Sequence, residues 1–348
     1  MSYKLTYTEE FGTLLHRTKS TLAVSVYQAG KILLFDTDEN GSLKITPISY
    51  PKPMGICSQN NKLAIATISE LHIYKDVPNL AKKLSSEQRS FKHLYFPRQT
   101  YHCGTIDLHD IDFVDGQITG VNTLFSCICT FDDEYNFTPI WKPYFISENT
   151  PEDRCHLNGM CQVNGKLKYI TALGKGNTPG SWRDDITNSG ILMDIPQNKI
   201  VLDGLSMPHS PRWYNNKIYL LESAKGELVE IDPNSYTKKT VTRLNGMVRG
   251  LTIVDGLAFI GISTVREKSK TFNKLDDRVK AEFASIEIID IASGMTLGNL
   301  TFQTEIKEIY DVQLLQSVQA AGIFGLYDKR HNSGISTPDN EFWRIPKD

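Results

Sequence analysis

The chain has 348 residues, 38 basic and 40 acidic, with 40% hydrophobic residues and a formal net charge of −2. This is a globular composition with ample material for a core, and its charge balance gives no reason to expect a nucleic-acid partner. No apolar run reaches the roughly 18 residues a membrane span needs, so no membrane partner is expected either.

The N-terminal stretch MSYKLTYTEEFGTLLHRTKS lacks a basic region followed by an apolar core. It reads as an N-terminal extension over 1–20 with a helix around Glu9–Lys19, not as a secretory signal, and a cytoplasmic location is expected. Leu22–Ser49 reads as three strands with no first strand before them. From Pro53 onward a unit recurs about every fifty residues, each copy opening on a short apolar strand and turning at pairs such as Asp115-Gly116, Asn164-Gly165 and Asp255-Gly256. The first strands begin near Pro53, Leu108, Cys155, Met207, Met247 and Ile309. A second helix is expected over Asn79–Arg89, where Pro78 suits a helix start. A charged, helical segment is expected over Arg266–Phe283.

Six first strands at this spacing predict an all-β fold, a six-bladed β-propeller forming a single domain. Its ring closes by pairing the N-terminal strands with the last inner strand, which leaves no sheet edge open at the junction. A solenoid and two stacked sandwiches are the alternatives. Residues 317–348 then form a C-terminal tail. Cys57, Cys103, Cys127, Cys129, Cys155 and Cys161 make no paired C-x-x-C sets, so buried, reduced thiols are expected.

In a propeller the heads of the inner strands converge on the mouth of one central channel. Read in order, they are Met54, His109-Asp110, His156-Leu157-Asn158, His209-Ser210, Arg249 and Tyr310-Asp311. Three imidazoles in one register suit a divalent transition metal, with His109, His156 and His209 as ligands. They equally suit metal-free proton transfer near neutral pH. His109, His156, His209, Arg249, Tyr310 and Asp311 are the catalytic candidates, with Arg249 set to hold an anion. Asp110, Asn158, Ser210 and Arg212 are the substrate-binding candidates. Trp182 and Arg183 join them if the Gly-rich loop Gly174–Asp185 folds over the mouth, instead of being only a mobile turn. No nucleotide cofactor is expected, because neither a phosphate-binding loop nor a dinucleotide fingerprint is present. The expected partner is a small polar or anionic metabolite, handled by a hydrolase or lyase. A non-catalytic propeller that senses a ligand or binds a protein is the alternative, with structural histidines. Oligomeric state is not readable.

The stretches VSVYQAGK, VNTLFSC, PEDRCHLNGM, YITALG, LSMPHSPRWYNNKIYLLES, VRGL and IYDVQ resemble a family of bacterial proteins of unknown function, DUF4915. The resemblance runs from Phe11 to Leu314 and implies a β-propeller, with no activity to carry over. The shared motifs include His109, Asp110, His156, Asn158, His209, Ser210, Arg212, Arg249 and Asp311. The tail Ser317–Asp348 departs from the family pattern.

Overall fold

The computed structural model describes residues 4–84, 91–264, 275, 279–303 and 306–344. Six sheets, each with four antiparallel strands at its centre, form a six-bladed β-propeller. Blades 2 to 6 are each built in chain order from inside to outside. Their inner strands are Ile56–Gln59, Leu108–Val114, Leu157–Val163, Pro208–Tyr214 and Met247–Val254. Blade 1 closes the ring: its inner strand is Asp311–Leu315, paired antiparallel with Thr21–Val26, then Lys31–Thr37 and Leu43–Ser49.

The apolar runs are continuous because the middle strands of each blade are buried on both faces. In Thr21–Val26 every residue is buried. Leu22, Val24 and Val26 pack toward blade 6, while Ala23 packs toward blade 2. The next strand repeats this, with Leu33 and Phe35 on one side and Ile32 and Leu34 on the other. Successive side chains of a strand point to opposite faces, so one strand feeds two interfaces. Each fully buried Leu, Ile or Val side chain contributes about 1.5–3 kcal/mol. One apolar cluster fills each of the six interfaces between neighbouring blades, so the core is itself a ring.

Both termini clasp outer edges. Leu5–Tyr7 adds a fifth strand to blade 6, and Ala321–Ile323 adds a parallel fifth strand to blade 2. Helix α1 (Glu9–Arg17) starts where the Thr8 hydroxyl accepts from the Phe11 amide, and it buries Phe11 and Leu15 at the blade 6–blade 1 interface. Helix α2 covers Pro78–Leu84. The helical reading of Arg266–Phe283 falls mostly outside the described residues. All six cysteines are free and buried. Burial raises the Cys127 and Cys155 thiols to about 12, which keeps them protonated. Among the described residues no helix is long and apolar enough to cross a membrane.

Candidate functional site

All six strand heads named above, Met54, His109, His156, His209, Arg249 and Tyr310, line one cavity of about 290 Å³ at one end of the channel. Two local devices aim them there. Bulges interrupt the inner strands of blades 4, 5 and 6 between Leu157 and Gly159, His209 and Arg212, and Val248 and Leu251. An extra residue in one strand re-aims its neighbours. In addition, Asp107, Asp153, His156 and Met207 have positive φ angles of 52°, 47°, 52° and 51° and all line the cavity. Left-handed backbone at non-glycine residues stores strain, which concentrates at functional sites.

A repeated hydrogen-bond unit holds two of the histidines. The Thr123 hydroxyl donates to the Leu157 carbonyl of the next blade at 2.5 Å and lies 2.8 Å from Nδ1 of His109. The Ser223 hydroxyl does the same for His209, donating to the Val248 carbonyl at 2.6 Å with Nδ1 at 2.9 Å. A hydroxyl has one hydrogen, and here a carbonyl takes it. Each imidazole therefore donates Nδ1–H to the hydroxyl. The same nitrogens also face acceptor-only carbonyls, Asp107 O at 3.2 Å and Met207 O at 3.0 Å. The network thus assigns Nδ1–H tautomers with the Nε2 lone pairs turned to the cavity. Burial first, then the charges of His156 and Arg249, hold His109 well below the ordinary histidine range; burial and then Arg249 do the same for His209. Both are neutral at pH 7.

His156 is held differently. Its Nδ1 lies 3.0 and 3.1 Å from the two oxygens of Asp153. Asp153 also accepts from Trp182 Nε1 at 2.9 Å and sits 3.4 Å from Arg183. Trp182 packs on the His156 ring, centroids 4.2 Å apart, and the Arg183 guanidinium lies 4.1 Å from the indole centroid. The loop Gly174–Asp185 therefore folds onto the mouth, where Trp182 and Ile186 pack with Leu275 and Val279. The rings of His109 and His156 meet edge to face at 4.8 Å. The Arg249 guanidinium lies 3.5 Å above the Tyr310 ring and 3.9 Å from Glu308.

The cavity thus gathers His109, His156, His209, Arg249, Tyr310, Trp182 and Arg183. It does not gather Asp110, Asn158, Ser210, Arg212 or Asp311, and their expected place at the mouth is corrected. They lie along the inner strands instead, where they stitch neighbouring blades together. Asp110 accepts from the Met160 amide at 2.9 Å and Asp311 from the Ile56 amide at 2.9 Å. Asn158 donates to Pro208 O, Ser210 accepts from the Gly250 amide, and Arg212 Nε donates to Leu251 O. Asp110 and Arg212 face a separate cavity of about 220 Å³. Burial raises Asp311 to about 6, against the opposing pull of Arg212. His102 is also away from the mouth, exposed and paired with Glu70 at 3.1 Å.

Sequence reading missed Asp107, Asp153, Thr123 and Ser223. A signal for the last two existed, since each hydroxyl follows its histidine by 14 residues. Among the described residues no three His, Cys, Asp or Glu side chains are grouped so as to hold a metal ion.

A search among curated proteins gives no match. Among solved structures, a chain of the crystal structure of a nidogen/laminin complex is similar, with a TM-score of 0.55 at 13% identity. The match covers 86% of this chain and 99% of that one, and at this identity it shows the fold alone. The model of the family described as a domain of unknown function, DUF4915, matches residues 9–324, and the chain belongs to that family.

Proposed function

We propose that the protein is an enzyme that takes a small polar metabolite into the histidine-lined mouth and acts on it by general acid–base catalysis, as a hydrolase or lyase. The supporting observation is the doubled hydroxyl–imidazole unit, which fixes two neutral rings with Nε2 lone pairs facing one cavity. A neutral, oriented imidazole offers a free nitrogen lone pair to accept a proton at pH 7, and the burial that keeps it neutral also weakens it as a base. The Asp153–His156 pair adds an imidazole whose charged form has a carboxylate partner, so it is suited to return a proton. His109, His156 and His209 are the catalytic residues in this reading. Arg249, Tyr310, Trp182 and Arg183 form the walls that orient the ligand. No step is routed through a metal. A cytoplasmic setting belongs to the same proposal.

Incubating the purified protein with a small-metabolite extract and comparing mass spectra over time tests this reading. A component consumed with stoichiometric appearance of a product supports it. A component that is retained by the protein and released unchanged overturns it in favour of a ligand-sensing propeller.

A further inference from the structure

The groups around the mouth also specify what kind of ligand it takes, given that the mouth is a ligand site as just proposed. Its two arginines already have counter-ions: Arg183 lies 3.4 Å from Asp153, and Arg249 lies 3.9 Å from Glu308. Arg249 is further engaged by the Tyr310 ring at 3.5 Å. Asp107 is different. It lines the cavity, yet among the described residues its carboxylate makes no hydrogen bond or ion pair. Burial raises its pKa, with the charges of His156, Arg249 and Lys52 acting against that rise.

Three acceptors therefore face the same space: the carboxylate of Asp107 and the Nε2 lone pairs of His109 and His209. These three acceptors carry no hydrogens of their own and, once a ligand displaces water from them, need donors from it, because an acceptor left unpaired on burial is costly. An anion brings no hydrogens to these three acceptors and adds a like charge beside the Asp107 carboxylate. An ammonium group brings hydrogens, but it also brings a charge close to the arginine that already depresses both histidines. A hydroxyl satisfies both demands, donating its hydrogen to Asp107 or an imidazole and accepting from a guanidinium N–H through its oxygen. The volume of about 290 Å³ lies at the small end for ligand pockets. It suits one sugar ring and not a nucleotide or a peptide.

We infer that the mouth binds a small, neutral, polyhydroxylated compound, a monosaccharide or polyol, whose hydroxyls donate to Asp107, His109 and His209. The probe set is glucose, galactose, mannitol and myo-inositol, with glucosamine as the ammonium analogue and glucuronate and glucose 6-phosphate as the anionic ones. Ligand-observed NMR and calorimetry measure binding to wild type, Asp107→Asn and His109→Asn. The first variant keeps the shape of a side chain that bonds to nothing. The second keeps a donor near the Nδ1 position and removes Nε2 with the rest of the ring. At least one neutral polyol is expected to bind, more tightly than its charged analogues, and to lose about tenfold or more in affinity in each variant. Absence of binding by every neutral polyol, or tighter binding of glucosamine or either anion than of glucose, overturns the inference. Failure of the enzyme reading looks different: a neutral polyol binds, with affinity lost in both variants, and is recovered unchanged after long incubation.

Discussion

Thr123→Val removes a single hydroxyl from a fully buried position and keeps the side chain's shape. That hydroxyl serves two partners from different blades, His109 Nδ1 at 2.8 Å and the Leu157 carbonyl at 2.5 Å. An intramolecular hydrogen bond contributes about 0.5–1.5 kcal/mol net, and a buried partner left unsatisfied raises the cost to about 1–3 kcal/mol. His109 keeps its contact with Asp107 O at 3.2 Å, so the ring remains and its tautomer is less firmly fixed. Urea unfolding should show a loss of about 1–3 kcal/mol, with Thr123→Ser close to wild type. Nitrogen-15 spectra of the imidazoles should show one neutral Nδ1–H form for His109 in wild type, and a mixture in the valine variant. Stability and tautomer both unchanged in Thr123→Val would refute the hydroxyl–imidazole unit as the device that orients the ring.

Three further outcomes follow from the same structure. His209→Asn isolates one depressed histidine. Because its folded pKa lies below the unfolded value, the native state resists protonation and wild type loses stability relative to the variant as pH falls below about 6.5, with a slope approaching 1.4 kcal/mol per pH unit; a flat difference in urea unfolding across about pH 5 to 7.5 contradicts it. Gly250→Ala places a Cβ 2.7 Å from the Val312 amide at a φ of +78°, where blade 6 meets blade 1. It should cost more than about 1 kcal/mol, and thermal melts unchanged from wild type count against that close approach. Arg212→Met leaves Asp110 and Asp311 without their shared cation, now 3.8 and 3.9 Å away. Uncompensated buried charge costs about 3–5 kcal/mol. A carboxylate whose folded pKa is raised takes up a proton more readily in the native state, and without Arg212 to oppose it the rise exceeds the value of about 6 that Asp311 has in wild type, so part of this loss should return as pH falls toward 6, beginning above it. A variant equally stable at all pH values contradicts this balance.

The ring was legible because its signal is distributed. Every unit carries an apolar inner strand and a turn pair, and Leu22–Ser49 lacks an inner strand that Asp311–Leu315 supplies from the other end of the chain. The six heads were legible for the same reason, since they share a register within their blades. Asp110, Asn158, Ser210 and Arg212 were misplaced because a period-2 reading cannot see the bulges in their strands, whereas Asp311 lies in a strand without one. An inserted residue turns a side chain from the cavity to the neighbouring strand, and nothing local in His209-Ser210-Pro211 marks which residue is the extra one. Asp107 and Asp153 were missed because they occupy loops, held in place by left-handed backbone at φ 52° and 47° and not by a periodic pattern. The outer strands Leu5–Tyr7 and Ala321–Ile323 were missed because three residues are too short to show alternation.

The most direct test of the mouth as a place of chemistry compares His109→Asn and His209→Asn with wild type for conversion of the metabolite that the protein consumes. Asparagine keeps the donor that each Nδ1 supplies and removes the Nε2 that faces the cavity. Turnover should fall by about 10²- to 10⁴-fold in each variant with a thermal midpoint near that of wild type at pH 7.5. Full turnover in both variants would show that these nitrogens take no part in the reaction.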